Sequence, residues 1–176
     1  MTPDFQISRL NLSGLHQAAE ALGALLKDCV DGGASVSFMA DLTLERAIDF
    51  WRDVGKAAES DGRVVIIATD SEGLFGVVQV IPAGTDNQPH RGDIAKMLVH
   101  RRGRGKGVGE ALLSAAEEAG RALGLTLLTL DTAEGGAGER LYARGGWTRV
   151  GVIPDYALMP DGALTGTVLF FKRIGQ

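Results

Sequence analysis

Cysteine is almost absent from this chain, which has 176 residues and a single cysteine, Cys29. One cysteine cannot form an internal disulfide, so the sequence predicts a reduced, cytoplasmic protein. The three histidines, His16, His90 and His100, are not spaced as metal-ligand pairs, and no metal site is predicted. Cys29 lies within an apolar helical pattern, which favours a packing role over a reactive one.

Long apolar runs and an excess of positive charge are also missing. No stretch approaches the roughly 18 apolar residues that a membrane span needs, and the N-terminus lacks the pattern of a signal peptide. The formal net charge is −4 at pH 7, so the chain as a whole has no attraction to nucleic acid or to an anionic membrane. With 45% hydrophobic and 23% charged residues, the composition is typical of a globular protein.

The hydrophobic periodicity predicts one α/β domain over residues 1–176. After a short strand near Phe5, helices are predicted from an N-cap at Ser13 to residue 31 and over residues 43–59. The remaining prediction is strands at 64–68, 74–81 and 93–99, a helix at 107–123, a strand at 125–130, a helix at 138–144, and strands at 147–153 and 165–173. The N-terminal strands read as antiparallel, whereas 93–99 and 125–130 form a parallel pair through a helical crossover. The predicted fold is a mixed sheet flanked by helices.

A basic, glycine-rich segment occupies residues 100–110, HRRGRGKGVGE, between a predicted strand and a predicted helix. Its basic side chains and alternating glycines are Arg101, Arg102, Arg104, Lys106, Gly103, Gly105, Gly107 and Gly109. Glycine permits positive φ and close approach to a ligand, and the first N–H groups of a helix have no partner within it. Together with the positive end of the helix dipole, these features predict a polyphosphate cradle at the helix N-terminus.

Two common phosphate-binding motifs differ from this segment. The Walker pattern GxxxxGK[ST] is absent, because Gly107 follows Lys106 and no hydroxyl is there for magnesium. A strand, glycine loop, helix and strand followed by Asp131 resemble a dinucleotide-binding unit with an acid for the ribose. However, no GxGxxG occurs, and the unit follows an antiparallel hairpin. A dinucleotide-binding oxidoreductase is therefore the weaker alternative.

The pattern Arg104-x-x-Gly107-x-Gly109 resembles the pyrophosphate-binding motif of the GNAT superfamily of N-acetyltransferases. The strand before it resembles that family's splayed strand, and residues 141–147 (LYARGGW) resemble its tyrosine-bearing helix followed by Gly-aromatic. The resemblance implies a GNAT fold, acetyl-CoA as co-substrate and a possible homodimer. It places the coenzyme on Met97, Leu98, Val99, Arg104, Gly105, Lys106, Gly107, Val108, Gly109 and Glu110.

Further stretches are similar to the tabtoxin-resistance type of acetyltransferase within that family: residues 31–42 (DGGASVSFMADL), 130–132 (LDT) and 148–151 (TRVG). Enzymes of that type acetylate the amino group of a β-lactam amino-acid toxin. The resemblance implies a small-molecule amine as acceptor, such as a toxin or an antibiotic-like amine. It also implies that the early loop helps to wall the acceptor pocket, with candidate contacts at Ser35, Phe38 and Asp41.

Acetyl transfer requires that the amine lose a proton, that the thioester carbonyl be polarised and that the departing thiolate be protonated. Tyr142 matches the family's tyrosine and is the candidate acid for the thiolate. Asp131 is the candidate base or ammonium ligand, and Asp93 is a second carboxylate candidate for acceptor binding. Backbone N–H groups near Leu98 and Val99 could polarise the carbonyl. The lone cysteine lies on an apolar face, so direct attack in a ternary complex is favoured over a covalent enzyme intermediate.

Two alternatives stay open from the sequence. A non-catalytic acyl-CoA sensor would keep the phosphate cradle, although the presence of both Tyr142 and Asp131 argues against it. A dinucleotide-linked oxidoreductase would bind a nicotinamide cofactor in place of acetyl-CoA.

Overall fold

The computed structural model describes residues 4–175, in which helices cover both faces of one mixed sheet. The elements are β1 (Gln6–Arg9), α1 (Leu12–Gln17), α2 (Ala19–Asp31), α3 (Leu44–Ala58), β2 (Val64–Asp70), β3 (Gly73–Pro82), β4 (Arg91–Val99), α4 (Val108–Ala122), β5 (Leu127–Ala133), α5 (Ala137–Arg144), β6 (Thr148–Leu158) and β7 (Leu164–Arg173). The order across the seven-stranded sheet is β1-β2-β3-β4-β5-β7-β6. Every neighbouring pair is antiparallel except β4 and β5, which are parallel. The predicted α/β mixed sheet is confirmed.

Two apolar layers lie on opposite faces of the sheet, and β2 shows why. Val64 and Ile66 pack in the layer under α4, whereas Val65 and Ile67 pack in the layer under α2 and α3. Successive side chains of a strand point to opposite faces, so a strand covered on both sides reads as a continuous apolar run. Among the described residues, no buried member of the α2–α3 layer comes from β5, β6 or β7. That face of the C-terminal half of the sheet is left uncovered.

The first helical segment differs from the prediction. The side chain of Asn11 accepts a hydrogen bond from Gly14 N at 2.7 Å, so Asn11 and not Ser13 is the N-cap. The segment is also divided at Ala18, where α1 ends and α2 begins. Leu15 of α1 and the apolar side of α2, including Cys29, still pack in one layer, as the apolar helical pattern around Cys29 predicts.

Strand β5 extends beyond its predicted end. It pairs with β7 as far as Ala133, which lies opposite Thr167, so Asp131 is inside a paired strand. Leu128 and Leu130 fill the layer under α4, which leaves Asp131 on the uncovered face. The prediction that Asp131 closes the strand was wrong, because an uncovered face accepts a polar side chain without ending the ladder.

The parallel pair separates after a short paired region. β4 and β5 are in register only as far as Asp93 and Thr129. On its other edge β4 stays paired with β3, with one extra residue accommodated between Ala95 and Leu98 as a β-bulge. Lys96 lies in this bulge with a φ of 49°. Within the described residues, the β5-facing edge of β4 has no strand partner beyond Asp93, and a gap opens through the sheet.

No helix between residues 4 and 175 combines the length and apolarity needed to cross a bilayer. The described chain also holds no group of three or more His, Cys, Asp or Glu side chains placed to bind a metal ion.

Candidate active site

The glycine loop connects β4 to α4 through a 3₁₀ turn (Arg101–Gly103). Gly105 and Gly107 have φ angles of 75° and 78°, which other residues rarely adopt, so the loop path requires glycine at both positions. A Cβ added at either position would meet no atom within 4 Å. The loop surface there is therefore open to a ligand, whereas a Cβ on Gly103 would come within 2.6 Å of the Phe75 ring.

The first turn of α4 offers unpaired donors. Gly107 caps the helix without a side-chain hydrogen bond, and the first bond into the helix runs from Ala111 N to Gly107 O at 3.0 Å. Among the described residues, the N–H groups of Val108, Gly109 and Glu110 have no protein acceptor. Three adjacent donors at the positive end of a 15-residue helix form a site for an anion.

Two of the loop's four basic side chains hold the loop to the rest of the protein. The Arg101 guanidinium pairs with Asp28 on α2. The Arg102 guanidinium pairs with Asp70 on β2 and lies 4.5 Å from the centre of the Phe75 ring. The hydrogen bond from Arg102 holds the pKa of Asp70 below its ordinary value. Neither residue was among the coenzyme contacts predicted from the sequence, and their pairing leaves the predicted Arg104 and Lys106 as the cations of the loop for a ligand.

Arg104 and Lys106 are the cations that remain. Neither forms an ion pair within residues 4–175. The Arg104 guanidinium lies beside the end of α2, with Nη2 3.3 Å from the position of a Cβ built on Gly32. Both residues are exposed and directly precede, in the chain, the unpaired donors at the start of α4, so their cations are available to an anion bound there.

The end of β4 can contribute backbone groups to a ligand. Met97 and Val99 pack against the layer under α4, and Leu98 is buried in the layer under α2 and α3. Their side chains are therefore committed to packing, while the unpaired edge of β4 carries free N–H and C=O groups. An extended ligand with a pyrophosphate at α4 and an arm along β4 fits this arrangement. Acetyl-CoA has that form.

Tyr142 lies on α5 with its ring between Trp147 and Phe170, at 5.9 Å between ring centres in each case. Its hydroxyl has no hydrogen-bond partner among the described residues. It is not fully buried either, because Trp51 Nε1 is the one fully buried side-chain nitrogen or oxygen there that lacks a partner. Burial, and then the Asp131 carboxylate, raise the pKa of Tyr142. The hydroxyl keeps its proton at neutral pH and can act as a donor.

Asp131 lies on the other face of the sheet from Tyr142. Its Oδ2 accepts a hydrogen bond from Thr167 Oγ1 at 2.8 Å, which orients the carboxylate. After the larger effect of burial, the carboxylate contributes to the pKa of both Tyr142 and Lys96. A carboxylate on the open face beside the gap is suited to bind an ammonium group or to accept its proton.

Lys96 is a site residue that the sequence analysis missed. Regular alternation from Ile94, which packs under α4, would place Lys96 on the α4 face. The bulge reverses this direction: Lys96 Nζ lies 5.5 Å from the centre of the Phe50 ring on α3 and donates to Ser37 Oγ at 3.2 Å. One signal was available, since Lys96 is the lone charge in the apolar run IAKMLV.

The loop between α2 and α3, which was predicted to wall the acceptor pocket, lies next to Lys96. Ser35 Oγ donates to Leu158 O at 3.4 Å, and Ala40 N donates to Pro160 O at 3.1 Å. These bonds tie the α2–α3 loop to the turn between β6 and β7. Phe38 packs edge-on against Phe50 at 5.4 Å between ring centres, so it supports the ring that lies beside the lysine.

Two predicted acceptor contacts are placed less favourably. Asp41 has an 81% exposed side chain, and its ion pair is with Arg46 on α3 at 3.9 Å. Asp93 accepts hydrogen bonds from Arg91 and Thr129 at the point where β4 and β5 separate. Asp93 therefore lies at the base of the gap, and its carboxylate is already hydrogen-bonded to Arg91 and Thr129. We omit both residues from the acceptor contacts proposed below.

Cys29 lies closer to the gap than its sequence position indicates. Its Sγ is 3.6 Å from Val99 O, at the end of β4. Burial raises the pKa of Cys29 to about 11, so the thiol stays protonated at neutral pH. A protonated, buried thiol is a poor nucleophile, which agrees with the packing role predicted from the sequence.

Comparison with known families decides the assignment. A sequence model of the acetyltransferase (GNAT) domain matches residues 60–149, just over half of the chain. The chain belongs to the GNAT family. The matched residues include β4, the glycine loop, α4, β5 and α5, which together carry the features described above.

Solved structures of this GNAT fold cover nearly the whole chain. The ribosomal-protein-alanine N-acetyltransferase from Brucella melitensis is 19% identical, with 96% of this chain and 99% of that chain covered and a TM-score of 0.78. YncA from Salmonella typhimurium, assigned as an acetyltransferase and solved with its cofactor acetyl-CoA, is 15% identical, with 98% and 95% covered and a TM-score of 0.79. A structure assigned as a phosphinothricin N-acetyltransferase is 18% identical, with 98% and 99% covered and a TM-score of 0.79. At these identities the comparison establishes the fold.

The family assignment confirms three expectations from the sequence. This GNAT protein is an acyltransferase, its fold is the mixed sheet predicted, and its co-substrate is acetyl-CoA. The dinucleotide-binding oxidoreductase is displaced, because the strand, loop and helix that resembled a dinucleotide site belong to the acetyltransferase domain.

Proposed function

We propose that this GNAT acetyltransferase transfers the acetyl group of acetyl-CoA to the amine of a small molecule, by direct attack in a ternary complex. One observation carries the proposal. The gap between β4 and β5 has the unpaired donors of α4 and the Tyr142 hydroxyl on one face of the sheet, and Asp131 on the other. The two reactants can therefore approach each other from opposite faces through the gap.

The coenzyme side of the gap is assigned to the glycine loop and β4. The N–H groups of Val108, Gly109 and Glu110 bind the pyrophosphate together with Arg104 and Lys106. When bound, acetyl-CoA supplies an acyl thioester and a thiol leaving group. The unpaired edge of β4 near Leu98 and Val99 carries N–H donors that can polarise a carbonyl placed in the gap.

The two proton transfers are assigned to opposite faces. Asp131 binds the acceptor ammonium and takes up its proton directly or through water, which frees the nitrogen lone pair for attack. Tyr142, whose raised pKa keeps the hydroxyl protonated, donates a proton to the departing sulfur. No step uses Cys29, because its thiol stays protonated. Direct transfer therefore requires no covalent enzyme intermediate.

For the acceptor we propose a small amino compound, with β-lactam amino-acid toxins and antibiotic-like amines as the first candidates. The α2–α3 loop is bonded to the β6–β7 turn through Ser35 and Ala40, which narrows the open face and favours a small acceptor. Residues 31–42 resemble the tabtoxin-resistance type of acetyltransferase, and one structural neighbour is named for phosphinothricin. The cytoplasmic location and the homodimer expected from the sequence stay predictions.

The test is to incubate the protein with acetyl-CoA and a panel of amines while free thiol is recorded with a chromogenic disulfide. The panel holds α-amino acids, their carboxamides, alkylamines and β-lactam amino acids. We expect thiol release that depends on at least one amine. Background from the protein is small, since Cys29 is 2% exposed. Coenzyme binding without thiol release for every amine would contradict catalysis and favour a binding module.

Replacing both Arg104 and Lys106 by alanine is expected to raise the KM for acetyl-CoA roughly tenfold. The reason is that the cradle loses its two cations without an ion-pair partner. Because both side chains are exposed, the effect should shrink as ionic strength rises. Steady-state kinetics at two salt concentrations measure both effects.

Acetyl-pantetheine is the control for that variant, because it lacks the pyrophosphate. Its KM should be unchanged in the double variant of Arg104 and Lys106. Equal losses with acetyl-CoA and acetyl-pantetheine would contradict a phosphate-binding role and point to a displaced loop.

A further inference from the structure

The ammonium group of Lys96 lies on the open face with incomplete pairing. Its Nζ donates one hydrogen bond, to Ser37 Oγ at 3.2 Å, although an ammonium group has three donors. The Phe50 ring at 5.5 Å adds a cation–π contact. Within residues 4–175, no ion pair includes Lys96. The charge is therefore partly removed from water and left without a counterion in contact.

This placement is unfavourable unless an anion binds there. Burial lowers the pKa of Lys96, and the Asp131 carboxylate opposes that shift. A half-buried ammonium group loses part of its contact with water. One hydrogen bond to the neutral Ser37 hydroxyl compensates for only part of that loss, and no anion of the described chain is in contact to compensate for the rest. In addition, the backbone of Lys96 has a φ of 49°, a conformation unusual for a side-chain-bearing residue. Strained backbone that aims a charge at an open face is typical of binding sites.

Lys96 and Asp131 form a pair of separated opposite charges. Both lie on the same face of the sheet, Lys96 beside Phe50 of α3 and Asp131 where the helices leave that face uncovered. They share no hydrogen bond, because Asp131 is bonded to Thr167 and Lys96 to Ser37. A molecule that carries both an ammonium group and an anionic group can satisfy the two charges at once.

We propose that Lys96 determines acceptor specificity by binding a carboxylate of the acceptor while Asp131 engages the amine. The proposal rests on the N-acetyltransferase function proposed above and narrows its acceptor to a zwitterionic, amino acid-like compound. The β-bulge of β4 is the structural device responsible, since it turns Lys96 from the α4 face toward the acceptor.

The test compares each accepted α-amino acid with its carboxamide, which keeps the amine and loses the negative charge. For the unmodified protein we expect kcat/KM to be roughly tenfold to a hundredfold higher for the amino acid. In Lys96→Met the KM for the amino acid should rise by about that factor with kcat largely kept, and the carboxamide should be unaffected. Lys96→Arg should restore part of the preference, because it restores the positive charge.

A binding measurement and a second variant complete the design. Calorimetric titration of the amino acid into protein with coenzyme A bound should show weaker binding in Lys96→Met. Asp131→Asn should reduce turnover of amino acid and carboxamide alike, because both carry the amine. Equal use of the two acceptors by the unmodified protein, or equal losses for both in Lys96→Met, would overturn the role of Lys96 while leaving the acetyltransferase function intact. Absence of turnover with any amine would overturn both proposals.

Discussion

Replacing Tyr142 by phenylalanine is expected to lower kcat by about a hundredfold or more, with little change in the KM for acetyl-CoA. The variant removes the hydroxyl that we propose as the proton donor to the departing sulfur. Phenylalanine keeps the ring contacts with Trp147 and Phe170, and the lost hydroxyl has no hydrogen-bond partner among residues 4–175. The melting temperature should therefore stay close to that of the unmodified protein, so the loss of rate can be assigned to chemistry.

The pH dependence of the unmodified protein provides a further check on Tyr142. Burial and the Asp131 carboxylate raise its pKa above the ordinary value of 10.0, so the acid form persists throughout the neutral and mildly alkaline range. The rate should show no decline from tyrosine ionisation below about pH 10. A pH–rate profile of kcat/KM measures this.

Tyr156→Phe is the matched control, because Tyr156 is the second of the chain's two tyrosines and is 57% exposed on β6. It makes the same chemical change on the edge strand β6, which β7 separates from β5, and kcat should stay much closer to that of the unmodified protein than in Tyr142→Phe. Tyr142→Phe with nearly full kcat would contradict the assignment of the acid and would point to water as the donor.

Replacing Glu117 by alanine is expected to lower the free energy of unfolding by about 3 kcal/mol. Glu117 on α4 is 7% exposed and accepts hydrogen bonds from Lys172 Nζ at 2.8 Å and Trp147 Nε1 at 3.0 Å. Lys172 also donates to Gly145 O at 2.8 Å, so the group joins α4, the turn after α5, and β7. Removing the carboxylate leaves a partly buried ammonium and an indole N–H without their main partner. Denaturant unfolding measures the change.

Two variants test whether the loss of stability comes from the buried Glu117 group or from the removal of any negative charge on α4. Glu118→Ala removes the neighbouring, exposed carboxylate of the same helix and should change stability by no more than about 0.5 kcal/mol. The double variant Glu117→Leu with Lys172→Met removes both charges and should recover much of the loss. Equal destabilisation by Glu117→Ala and Glu118→Ala would contradict a specific role of the buried group.

The phosphate cradle was predicted from local sequence because its chemistry is local. Gly105 and Gly107 are needed for positive φ, and the unpaired N–H groups follow from the start of a helix, so neither depends on distant residues. Tyr142 was predicted as the acid from the resemblance of its short flanking motif to the family. The same segment singled out Arg104 and Lys106 for the coenzyme, but the partners of Arg101 and Arg102 could not be read locally, because they lie on other elements far away in sequence.

The residues on the acceptor side could not be predicted as well from the sequence. Asp93 and Asp41 carry suitable chemistry, but their surroundings could not be read from the sequence, and each has a partner in the folded chain. Lys96 was missed because the alternation of a regular strand would direct it toward α4, and the bulge that reverses it arises from pairing with β3.

The sequence by itself determined the order of the elements, the mixed sheet and the glycine loop, because each follows from periodicity or from a short motif. The tertiary structure alone decided what Arg101 and Arg102 pair with, where β4 and β5 separate, and that Lys96 and Asp131 share one face of the sheet. The physical reason is distance along the chain. Periodicity and motifs act over a few residues, whereas ion pairs, strand separation and bulges depend on partners tens of residues away.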